Sequence, residues 1–136
     1  MAVKDINVKQ QANFAKECIR LQVGTTATSQ TAKVADAIVL PYACEVISVD
    51  VNALTVTATI TVDVLIGATS VLASQVTPVA ATPTAGTLSS TLANKRGAAG
   101  EILKVAYTSN GTGAATNALV SVWIRPIPQN GEVYSV

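Results

Sequence analysis

The strongest constraint in this chain is a side-chain period of two. In ITVDVLI, residues 60–66, Ile60, Val62, Val64 and Ile66 alternate with Thr61, Asp63 and Leu65. Such a period places successive residues on opposite faces of an extended strand. It recurs along the sequence. In Glu17–Val23, Ile19, Leu21 and Val23 alternate with Cys18, Arg20 and Gln22. In Glu101–Tyr107, Leu103, Val105 and Tyr107 oppose Ile102, Lys104 and Ala106. In Ala118–Arg125, Val120, Val122 and Ile124 oppose Leu119, Ser121 and Trp123. Val34–Leu40 sets Val34, Ile38 and Leu40 against Ala35, Ala37 and Val39, with Asp36 breaking the pattern. Cys44–Val51 sets Ile47, Val49 and Val51 against Val46 and Ser48. Shorter strands are expected at Ser70–Leu72 and Leu88–Leu92.

Turn signals separate these runs. Gly24–Lys33 is a loop of small polar residues, Pro41 ends the second run, and Pro126 and Pro128 end the last. Proline lacks the amide donor that a ladder needs. Residues 73–87 carry Pro78, Pro83 and Gly86 and read as a long connection with one edge strand. Asn94–Gly97 reads as a charged turn and Thr108–Asn117 as a flexible loop containing Asn110-Gly111. About eight strands without an amphipathic helix predict an all-β fold, an antiparallel sandwich. A jelly roll is the preferred order, and another Greek-key order the alternative. Aromatics are only 4% of the chain, so small and β-branched side chains must fill the core. Residues 1–16 read as an N-terminal arm. Residues 17–136 read as one sandwich domain with a short C-terminal tail.

The charges limit the function classes. The net charge is +1. Lys4, Lys9, Lys16, Arg20 and Lys33 against Asp5 and Glu17 make the front end mildly basic. Nucleic-acid binding needs cations converging on one surface, and the sequence shows no such cluster. No apolar run reaches membrane-helix length, and the front end lacks the apolar core of a secretory signal. Neither nucleic acid nor membrane is therefore expected as a partner, and synthesis in a cytoplasm is. The chain has no histidine, which removes the commonest general base and every His-dependent triad. Cys18 and Cys44 without histidine do not make a zinc site; they read as small buried hydrophobes, with pairing left open. No catalytic, cofactor or metal residue is assigned, and no enzyme activity is expected. Asp63, alone in an uncharged run, reads as a solvated or interface carboxylate. Trp123 reads as a core or interface residue rather than a sugar platform.

The ordered pieces DAIVLPYACEVISVDV, TVDVLIGATSVL, AAGEILKVAYTSNGTG and ALVSVWIRP lie within residues 34–126. In this order they resemble small β-sandwich structural proteins of tailed bacteriophage virions. The resemblance implies a capsid decoration or cement protein on the surface of a virion. It would bind the major capsid protein and assemble as a homo-oligomer, a trimer rather than a dimer. The alternative is a tail or fibre module that recognises a host-surface glycan. Candidate partner contacts are Lys4, Lys9, Phe14, Lys16 and Arg20 of the front end, with the adjacent pair Lys95 and Arg96.

Overall fold

The computed structural model describes residues 16–127. Two sheets face each other. The front sheet has the order β1 (Glu17–Gly24), β11 (Ala118–Pro126), β3 (Cys44–Asn52) and β7 (Thr84–Ala85), with β8 (Arg96–Gly97) also paired to β3. The back sheet has the order β2 (Gln30–Val39), β9 (Ile102–Ser109), β5 (Ile60–Ile66) and β6 (Thr69–Ser70). A separate pair joins β4 (Thr55–Thr57) to β10 (Ala114–Thr116). All these strand pairings are antiparallel. The orders β1-β11-β3-β7 and β2-β9-β5-β6 are those of a jelly roll, with the chain crossing repeatedly between sheets.

The core lies between the sheets. The front sheet contributes Leu21, Val46, Val49, Val51, Val120, Val122 and Ile124; the back sheet contributes Ile60, Val62, Val64, Leu103, Val105 and Tyr107. Tyr107 is the one aromatic side chain buried there among the described residues. Burying each Val, Leu or Ile contributes roughly 1.5–3 kcal/mol before entropy is counted. The alternation of β1, β5, β9 and β11 falls on the faces the sequence implies.

Two strands change phase. In β3 the register slips between Trp123 and Ile124 of β11, leaving Ile47 as an extra residue. Val46 is therefore buried with Val49 and Val51 instead of opposing them. In β2 the register slips between Val34 and Asp36. Val34 consequently leaves the face shared by Ile38 and Leu40 and points outward. One inserted residue reverses every side chain beyond it. At the bulge, Asp36 Oδ2 accepts the Gln22 backbone N–H at 2.9 Å. This bond ties the edge strand of the back sheet to the edge strand of the front sheet.

Four expected segments differ. Gln30–Lys33, the end of the expected Gly24–Lys33 loop, already belongs to strand β2 and pairs with β9. Leu88–Leu92 is not a strand: Leu88 makes only an isolated bridge to Leu72, and a 3-10 turn covers Leu92–Lys95. The buried Ser89 is the reason, because its Oγ accepts the Thr91 backbone N–H at 3.1 Å and the Asn94 side-chain amide at 3.2 Å. A local side-chain acceptor of this kind competes with a ladder. Asn94–Gly97 is correspondingly a 3-10 end running into β8 rather than a simple turn. Thr108–Asn117 is largely organised: β9 extends through Ser109, and Asn110 Oδ1 accepts the backbone N–H groups of Thr112 and Gly113 at 3.0 and 2.5 Å. That bend feeds Ala114–Thr116 into the pair with β4.

Candidate interaction surface

The outer face of the front sheet is built by strands β1, β11, β3 and β8. Alternation turns Arg20 outward on β1, and Ser121, Trp123 and Arg125 outward on β11. The register places Trp123 beside Cys18 and Ser48, and Arg125 beside Glu45, which in turn pairs with Arg96 of β8. Arg96, Glu45 and Arg125 thus form one row across three strands. Arg20 is opposite Ser121, so it lies diagonally from Trp123 at about 7 Å between backbones.

Glu45 is 6% exposed although it is on an outer face. The two arginines account for this. Arg125 Nε and Nη2 donate to Glu45 Oε2 at 3.0 and 2.7 Å. Arg96 Nε lies 3.5 Å from Oε1. Burying a carboxylate is tolerable only when it is paired and hydrogen-bonded in this way. The same contacts hold both guanidinium groups in place while leaving Arg125 Nη1 and both Arg96 Nη groups unengaged among the described residues. Gly97 lets β8 lie directly against the core beneath this row. A Cβ there would meet Leu40 Cδ1 at 2.5 Å.

Trp123 stands 39% exposed within this arrangement. Trp and Arg are among the residue types enriched at the energetic hot spots of protein interfaces, and here the exposed indole shares an outer face with Arg20 and Arg125. Glu45 and Asp50 are the acids of this face, against Arg20, Arg96 and Arg125, so the face keeps a small positive surplus. At its margin, Tyr42 donates to Glu17 Oε2 at 2.8 Å. Burial, reinforced by that carboxylate, pushes the Tyr42 phenol up to about 12. Burial likewise raises the Cys44 thiol, with the charges of Glu17 and Glu101 adding to it.

Of the candidate contacts read from the sequence, Arg20 and Arg96 lie on this same face, on β1 and β8, with β11 and β3 between them. Lys16 is exposed immediately before β1, and Lys95 closes the 3-10 turn that leads into β8. Lys4, Lys9 and Phe14 lie outside the described residues. Sequence reasoning did not select Glu45 or Arg125 as contacts, and it placed Trp123 only as a core or interface residue. The detectable signal was Trp123 at an outward position of a strand ending in Arg125-Pro126; Glu45 becomes visible only through cross-strand register. Cys18 and Cys44 are both free thiols; Cys44 is buried, whereas Cys18 is only partly so. Tyr107 is buried, and its hydroxyl accepts the Ala27 backbone N–H at 3.1 Å, so it offers no sugar platform.

Asp63 is half-buried on the back sheet. Its Oδ1 accepts from Ser70 Oγ at 2.5 Å and from the Val64 backbone N–H at 2.9 Å, which pins β6 to β5. No three His, Cys, Asp or Glu side chains are grouped as metal ligands among the described residues. No protein-family model, curated protein or solved structure matches the chain.

Proposed function

We propose that this chain is a non-enzymatic structural protein of a tailed-phage virion: a decoration or cement protein that binds the shell of the major capsid protein and stabilises it. It acts as a homo-oligomer on the capsid surface after synthesis in the host cytoplasm. The observation that carries this reading is Trp123, exposed beside the Arg96–Glu45–Arg125 row and Arg20. A cementing protein needs area and fixed anchors rather than a reactive centre. Here the anchors are rigid, because each sits on a strand and two are held by Glu45. The unengaged guanidinium nitrogens suit carboxylates on the shell, and the indole suits an apolar recess between them. Many copies on one shell convert modest contacts into durable attachment.

Co-sedimentation with empty shells assembled from the major capsid protein of the same virion tests the reading. The full chain should pellet with the shells and raise their melting temperature. Trp123→Ala should weaken binding by about tenfold or more, and added salt should weaken what remains. Shells that leave the protein in the supernatant, or that bind the variant as tightly, would refute it. The exposed indole also favours a second reading, a fibre module that stacks a host glycan on Trp123. A glycan screen with the same variant separates the two, since glycan binding lost with Trp123 and no affinity for shells would select it.

A further inference from the structure

The outer face of the back sheet has a different character. Val39 is 62% exposed, Val34 48% and Ile102 46%. Val39 and Ile102 are register partners and form a projection at one end of β2 and β9. Toward the other end lies a hollow of about 240 Å3, with Ala32, Val34, Leu65, Ala106 and Thr108 in its lining. Asp63 and Lys104 also line it. Neither has an ion-pair partner among the described residues.

We infer that this face is self-complementary and pairs with the same face of a second copy about a two-fold axis. This deepens the proposed function by naming the surface for self-association. Let the axis lie in the interface, across the strands, between Lys104 and Ala106. The register of β2, β9 and β5 then determines what meets. Ile102 of each copy lies over Thr108 of the other, Val39 over Ala32, and Val34 over Ala37. The projection of each copy fills the hollow of its neighbour, large side chain on small. Lys104 lies over Ala106, whose register partner is Asp63. Each Lys104 therefore reaches the Asp63 of the opposite copy, and the pair occurs twice.

Charge selects a second copy over other occupants. An acidic partner would set like charge against Asp63, and a basic partner would do so against Lys104. The same face turned on itself neutralises both. Such a contact is isologous and closes after two copies, whereas a three-fold ring needs two different patches. The face thus favours a two-fold pair over the trimer implied by the resemblance.

Sedimentation of the full chain over a concentration series tests this. The mass should rise to that of two copies, each of 13.9 kDa. Ile102→Glu and Val39→Glu, both at exposed positions, should each give a folded monomer. Lys104→Glu should weaken the pair by about tenfold, and adding Asp63→Lys should restore it. A monomer at every concentration, a three-copy mass, or a pair indifferent to Ile102→Glu would overturn the inference. So would a pair lost with Trp123→Ala, which would move self-association to the front sheet. Shell binding is read separately: a two-copy species that ignores shells would sink the proposed function and leave this pairing standing.

Discussion

Strand β5 carries the sharpest test of how this sequence becomes this sandwich. Val64 and Leu65 are neighbours in the chain and face opposite ways. Val64 is fully buried between the sheets, and Leu65 is half-buried on the outer face. Val64→Ala removes two methyl groups, worth about 1.6 kcal/mol at roughly 0.8 kcal/mol per carbon. The space vacated, about 50 Å3, adds about 1 kcal/mol if the walls do not close, at roughly 24 cal/mol per Å3. The expected loss is therefore about 2–3 kcal/mol. Leu65→Ala deletes more carbon, but from a side chain already partly in water and beside an open hollow. It leaves no enclosed void, so its loss should stay under about 1 kcal/mol. Urea unfolding followed by circular dichroism, at protein concentrations low enough to keep the chain monomeric, measures both. A Leu65→Ala loss equal to or larger than that of Val64→Ala would show that the register, and with it the division into core and outer face, is wrong.

Alkaline pH should weaken the fold through Tyr42. Its pKa is raised by burial first and the Glu17 hydrogen bond second, from 10.0 to about 12. The folded state therefore holds this proton more tightly than the unfolded chain, so the stabilisation is complete below about pH 10 and fades as pH climbs through about 12. Cys44, raised in the same direction, adds a loss of the same sign. Tyr42→Phe should flatten the decline in unfolding free energy between those two pH values, and equal declines in both proteins would contradict the assignment. Gly113→Ala should destabilise by about 2 kcal/mol or more, because its Cβ would lie 2.3 Å from the Thr59 carbonyl oxygen. Gly111→Ala, whose Cβ meets only Ser29 Oγ at 3.8 Å, should change the urea midpoint far less, and equal shifts would argue against the bend described around Asn110.

The long strands were legible because one face of each is buried and its pattern is a strict alternation. The failures have local causes. Asp36 interrupted the β2 pattern visibly, yet nothing in the residue itself says that the interruption inserts a residue and turns Val34 outward. Ile47 fits the alternation of β3 so well that its bulge is invisible without the partner strand. Ser89 and Asn110 redirected the backbone through hydrogen bonds made by their own side chains, which a hydrophobic pattern does not report. The interaction surface was half legible. Arg20 and Arg96 carry charge that can be read directly, but the row through Glu45 exists only because β8, β3 and β11 align those three positions.

The edges of the sandwich sharpen what its faces are for. An exposed strand edge invites pairing with any other strand. Here β1 and β2 lie at neighbouring edges of the two sheets, and Asp36 takes up the Gln22 donor between them. The bulge in β2 and its charged Lys33 and Asp36 further spoil it as a template. At the opposite margins, β6, β7 and β8 are each two residues long, too short to recruit a partner strand. That leaves the two outer faces as the surfaces open to specific association, and these differ. The front offers fixed arginines around one indole. The back offers a projection, a hollow and one charge of each sign. Under the proposed function, that division lets a copy hold a neighbouring copy and the shell at once. Neither contact then competes with the other, so substitutions on one face should leave binding through the other unchanged.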